Sequence, residues 1–122
     1  MWISDHKRAI GLRFERRAEE YLKSRGYRIL ERNLNFKGGE LDLVCEEGAL
    51  RGGVLVFVEV RMRDPRSYVS PEESILGSKL IRLKRACRAY LARYSGHARE
   101  IRIDLISWEG EEMNHRKGFV VF

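Results

Sequence analysis

Val54-Leu55-Val56-Phe57-Val58-Glu59-Val60-Arg61-Met62 is a run of β-branched and aromatic residues with no proline or glycine. Such a run suits an extended strand. Apolar side chains occupy both of its alternating faces, so the strand must be central in a sheet and covered on each side.

Working outward, the chain supplies the covers. From Ser4 to Arg25, Ile10, Phe14, Ala18, Tyr21 and Leu22 recur at helical spacing, with Ser4 placed to cap the start and Gly26 to end the helix. After the central strand, Ser70-Pro71-Glu72-Glu73 is a helix-start signature that Gly77 interrupts and Ser78 can restart. Leu80, Leu83, Cys87, Tyr90, Leu91 and Tyr94 then form an apolar stripe, while Lys79, Arg82 and Arg85 line another face. Tyr27 to Leu34 reads as a strand, residues 35–39 as a turn, and Glu40 to Cys45 as a strand with Glu40, Asp42 and Val44 opposite Leu41, Leu43 and Cys45. A loop from Glu46 to Gly53 holds three glycines, and Glu100 to Trp108 and Gly118 to Phe122 read as closing strands. The expected fold is α/β, a mixed central sheet with a helix packed on each side, in the order α-β-β-β-α-β-β. It would be one domain over residues 1–122, a length that supports one hydrophobic core.

Composition narrows the function. The opening residues lack the apolar stretch of a secretory signal and no run is long enough for a bilayer, so a cytoplasmic protein is expected. Cys45 and Cys87 lie far apart in apolar-patterned segments, and His6, His97 and His115 are scattered, which sets aside zinc and disulfide frameworks. The net charge of +6 is uneven: residues 36–60 carry −3, between flanks of +4 (residues 1–35) and +7 (residues 61–102). An acidic island between basic flanks can hold a polyanion while gathering cations at one spot.

Two acids stand where apolar residues belong. Glu59 interrupts the central strand, and Asp42 lies between Leu41 and Leu43 on the strand before it. A carboxylate in mid-core is costly unless it is paired or cation-bound. On neighbouring strands, Asp42 and Glu59, with Glu40 nearby, would converge, and an oxygen-preferring cation such as Mg²⁺ or Mn²⁺ would offset their repulsion. Two plainer roles compete: Glu59 paired with Arg61 on the same strand face, and Asp42 hydrogen-bonded to a turn. Glu15 shares a helix sector with Leu12, Ala18 and Leu22 and could reach over the sheet, with Glu19 one turn on as its competitor. Asp104, sharing a strand face with Arg102, reads as a structural ion pair.

These stretches resemble a known family. GLRFERRAEEYLKSRGYRILERN (Gly11–Asn33), GELDL (Gly39–Leu43), VFVEVRMR (Val56–Arg63), the Lys79-containing helix with its AYL (Ala89–Leu91) and IRIDLI (Ile101–Ile106) resemble the YraN family of bacteria. That is an uncharacterised family within the restriction-endonuclease-like, or PD-(D/E)XK, superfamily. The opening helix is also similar to that of archaeal Holliday-junction resolvases, where a first-helix glutamate joins the metal site; Glu15 occupies that place. The resemblance implies a restriction-endonuclease-like core acting on DNA, with branched or damaged DNA as the candidate substrate of such a nuclease. It implies Asp42, Glu59 and the Val60 carbonyl as Mg²⁺ or Mn²⁺ ligands; on a nuclease reading the basic helix residues Lys79, Arg82 and Arg85, with Lys37 and Arg63, would contact the nucleic acid. The superfamily expects lysine two residues after the glutamate; this chain has Arg61, whose planar fork reaches differently from an ammonium. An active nuclease, a weakened one and a binding relative without cleavage all remain open. A homodimer, with the sheet end at Phe119–Phe122 as candidate interface, would suit cutting both strands.

Overall fold

The computed structural model describes residues 2–48 and 52–122, with side chains from residue 9 onward. Its elements are α1 (Trp2–Ser24), β1 (Tyr27–Phe36), β2 (Gly39–Glu47), β3 (Val54–Met62), a 3₁₀ turn (Glu73–Ile75), α2 (Ser78–Arg93), β4 (Glu100–Glu109) and β5 (Glu112–Val120). The five strands form one sheet in chain order; β3 and β4 are parallel and the other pairs antiparallel. This is the expected mixed sheet between two helices. No helix among the described residues is long and apolar enough to cross a membrane.

β3 divides its side chains between two cores. Leu55 and Phe57 pack under α2 with Leu41, Val44, Ile75, Leu83, Cys87, Ile103 and Leu105. Val56 and Val58 pack under α1 with Ala18, Leu22, Leu43, Cys45, Ile106 and Trp108. Phe57 is fully buried and meets Tyr90 edge-on, the ring centroids 5.8 Å apart. The strand is central because both of its faces are apolar, and two aliphatic layers result.

Several boundaries differ from the sequence reading. α1 begins at Trp2, so Ser4 lies inside the helix instead of capping it, and its side chain is outside the described residues. Gly26 does end the helix, at φ 87°. The Ser70 signature yields one 3₁₀ turn only: Ser70 Oγ accepts from the Glu73 N–H at 3.1 Å and donates to its carboxylate at 3.0 Å, but Leu76 is extended and the α-helix starts again after Gly77. Of the glycine-bearing loop, residues 49–51 lie outside the described residues. β5 runs Glu112–Val120 rather than from Gly118 to Phe122. Phe119 and Val120 pack against the α2-side core, while Val121 and Phe122 are exposed beyond the strand. β2 also departs from plain alternation, since Leu41 packs with Val44 on the α2 side while Leu43 and Cys45 face α1. The change of face falls at Asp42.

Gly39 sets how closely α2 approaches the hairpin. A Cβ there would stand 2.3 Å from the Arg82 carbonyl oxygen and 3.3 Å from the Ala86 methyl. The obstruction is helix backbone, so relief requires the helix to move. Gly39→Ala is expected to cost about 1–3 kcal/mol in urea unfolding. An unchanged midpoint would mean that α2 does not sit this close.

Candidate active site

The site begins where two strands part. β2 and β3 pair as far as Leu43 opposite Val58. The next inward backbone donor on β3, the Val60 N–H, does not find a β2 carbonyl; it donates to Asp42 Oδ2 at 2.9 Å. A side chain thus replaces a ladder partner, and the sheet opens beyond it. The opening is a cleft of about 520 Å³. α1 contributes Glu15, the β1–β2 hairpin contributes Asn35, Gly39, Glu40 and Asp42, β3 contributes Glu59, Val60 and Arg61, and α2 contributes Lys79, Arg82 and Leu83.

Four carboxyl groups share the cleft, and burial disfavours the charged form of two of them. Burial first, and the adjacent Asp42 second, push the Glu59 carboxyl well above the carboxylate range against the pull of Arg61. Arg61 Nη2 lies 3.6 Å from Glu59 Oε2, too long for a hydrogen bond. Burial, then Asp42 and Glu40, raise Glu15 to about 7, opposed by a hydrogen bond from Asn33. Asn33 has a left-handed backbone at φ 48°, a conformation asparagine tolerates better than most residues. Glu15 Oε1 and Arg61 Nε are buried with no hydrogen-bond partner. Orphaned charged atoms of this kind are costly.

Among the described residues, no three His, Cys, Asp or Glu side chains already stand in metal-ligating geometry. The donor chemistry nevertheless fits a hard divalent cation: an unpartnered carboxylate oxygen on Glu15 lies in the same cleft as three further acids, one of them with its charged form strongly disfavoured.

Asp42, Glu59, Val60, Arg61, Glu15, Lys79 and Arg82 all line this one cleft. Glu19 does not; it pairs with Arg32 of β1 and with Lys23 one turn further along α1. Lys37 is exposed in the hairpin turn. Arg63 pairs with Glu109 at 3.6 Å beside a separate hollow, and Arg85 lies against Gly38 instead of the cleft. Asp104 is structural, held by Arg102, His115 and the Gly118 N–H. Sequence reasoning missed Asn33, Asn35 and the tight contact at Gly39; for the last, the paired glycines after Lys37 were the available signal.

The family model described as "Uncharacterised protein family UPF0102" matches residues 14–108, which span the cleft's acids and α2. A UPF0102 protein of Symbiobacterium thermophilum is 41% identical over 102 residues, covering 84% of this chain and 83% of its own. One from Carboxydothermus hydrogenoformans is 34% identical over 121 residues, covering 96% and 99%. Another, from Beutenbergia cavernae, is 42% identical over 101 residues, covering 83% and 82%.

Proposed function

We propose, for a chain that belongs to the uncharacterised protein family UPF0102 (the YraN family), a metal-dependent endonuclease that hydrolyses DNA phosphodiester bonds in the cytoplasm, branched or damaged DNA being the candidate substrate. The observation that carries this reading is the convergence of Glu15, Asp42 and Glu59 on a cleft that Lys79 and Arg82 border. The likeness of the GELDL and VFVEVRMR segments to the PD-(D/E)XK superfamily supports it.

Asp42, Glu59 and the Val60 carbonyl, with Glu15 beside them, are the groups that would hold Mg²⁺ or Mn²⁺. Bound there, such an ion would lower the pKa of a water and offset charge on a phosphate under in-line attack. The chain's own part is positioning. The Val60 N–H fixes Asp42 by Oδ2, and the same carboxylate faces Glu59 within hydrogen-bonding reach. Arg61, half-buried and with one nitrogen unpartnered, can turn from Glu59 to a phosphate once the acids are neutralised. Lys79 and Arg82 would hold the DNA backbone at the rim, and Lys37, Arg63 and Arg85 would extend that contact beyond the cleft. Two copies related by a twofold axis would present one cleft to each DNA strand.

The proximity of Arg61 to Glu59 supports a second reading: a nucleic-acid-binding relative in which arginine has blunted the chemistry. Purified protein with Mn²⁺ should cut at least one of single-stranded, duplex, flapped and four-way DNA. No cutting at high protein concentration would sink the enzyme reading. Arg61→Lys separates the two: on the blunted reading, cleavage rises by roughly 10²-fold or more, the scale on which a positioned catalytic group acts. If Arg61 already serves, activity stays level or falls.

A further inference from the structure

Two neighbouring strands change face at the same register position. On β1, Arg32 pairs with Glu19 of α1, whereas Leu34, two residues on, packs against the α2-side core. On β2, Leu41 packs on the α2 side and Leu43, two residues on, packs on the α1 side. Residues two apart on a regular strand share a face, so each strand turns over between these positions. Arg32 is in register with Leu43, and Leu34 with Leu41. The residues at the two crossovers, Asn33 and Asp42, therefore stand opposite one another.

The backbone of Asn33 supplies the turn. With φ at 48°, it is the only non-glycine residue of positive φ among the described residues. Such a conformation persists only where its surroundings demand it, and it gathers at functional sites. Here the demand is geometric: without the crossover on β1, the pair Leu34 and Leu41 could not share the α2-side core while Leu43 faces α1.

The side chain of Asn33 serves the cleft from another direction. Asn33 and Glu15 line one hollow between α1 and the β1–β2 pair, and Glu15 lines the cleft as well, so its side chain stands between the two. The Asn33 amide hydrogen-bonds the Glu15 carboxyl and favours its charged form against burial and the neighbouring acids. Glu15 Oε1 keeps no partner. Carboxylates that ligate metals are held in place by hydrogen bonds of this kind from groups outside the ligand set.

We propose that Asn33 is a positioning residue of the cleft: its left-handed backbone turns Asp42 of β2 into place, and its amide holds Glu15 of α1 beside it. This role rests on the metal-site reading and adds to it a residue that is not itself a ligand.

The test separates backbone from amide. Asn33→Gly keeps the left-handed conformation and removes the amide. Asn33→Ala removes the amide and strains the backbone as well. Asn33 is exposed, so neither variant opens a cavity in the core. Calorimetric Mn²⁺ titration of the full chain should show roughly 10-fold weaker binding for Asn33→Gly, the lower end of the range for losing a group that orients a metal ligand. Binding should be weaker again for Asn33→Ala. Melting in EDTA should match wild type for the glycine variant and fall for the alanine variant. In a Glu15→Ala background, Asn33→Gly should weaken Mn²⁺ binding no further. Wild-type affinity in Asn33→Gly, or the same loss with Glu15 already removed, overturns the positioning role and leaves the metal site standing. An EDTA melt that falls as far for glycine as for alanine assigns the amide to the fold and overturns it too. Wild-type protein that takes up no Mn²⁺ removes the metal reading and this role together.

Discussion

Asp42→Asn is expected to lose Mn²⁺ binding and to lower cleavage by roughly 10³-fold, the scale of removing a metal's contribution to charge stabilisation, while the metal-free protein becomes more stable. The two effects share one cause. Asparagine keeps an oxygen that can accept the Val60 N–H, so the opening between β2 and β3 survives. What disappears is a charge that disfavours the ionised form of Glu15, whose carboxyl burial and Asp42 together raise to about 7. Relief of like-charge repulsion should be worth on the order of 1 kcal/mol in EDTA. Calorimetric Mn²⁺ titration reads the first effect and melting in EDTA the second. Wild-type Mn²⁺ affinity in the variant would place the cation elsewhere, and a lowered melting temperature would mean that the acids are paired more favourably than their burial suggests.

Asp104→Ala should be the most damaging single substitution for stability, costing about 3–5 kcal/mol, the range for breaking a buried ion pair from one side. The carboxylate is fully buried and accepts from Arg102 Nε at 2.7 Å, Arg102 Nη2 at 2.9 Å, the Gly118 N–H at 3.0 Å and, with the appropriate tautomer, His115 Nε2 at 2.8 Å. Alanine would leave the Arg102 guanidinium with only Glu47 and Tyr27 as partners. Burial alone would raise the Asp104 pKa, but the hydrogen bonds from His115, Arg102 and Gly118 outweigh it and hold it below the ordinary aspartate value. The sign follows: a depressed folded-state pKa stabilises the fold above the unfolded value of about 3.9. That contribution is lost as pH falls through the depressed value. Urea midpoints at pH 7 and pH 3 should therefore converge for wild type and Asp104→Ala at the acid end. A constant gap would show that the charge is not the source of the stability.

How far the fold could be read from sequence depended on where each segment faces. β3 was legible because it is apolar on both sides. β5 was not, because it is an edge strand: Asn114, Arg116 and Lys117 face solvent and read as a loop, so only its apolar end drew attention. The acids at 42 and 59 were legible as charges out of place in apolar strands. Choosing Glu15 over Glu19 needed the helix rotation and the ion pairs around Glu19. Lys79 and Arg82 reach the cleft, but Arg85, two helical steps of three residues further on, has moved about 9 Å along the axis from Lys79. Spacing alone treats the three as equivalent. The bond from Val60 to Asp42 and the contact at Gly39 arise only where elements distant in the chain meet, and no local pattern encodes them.

The fork in the sheet has a consequence for heredity. One oxygen of Asp42 accepts from the backbone, and on the proposed reading the other would serve the metal, so architecture and chemistry would share a residue without sharing an atom. Drift away from activity then has a narrow path: asparagine preserves the scaffold, whereas a residue with no acceptor strands the Val60 N–H as well. A lineage that had abandoned the reaction would be expected to pass through asparagine here, its fold outlasting its trade.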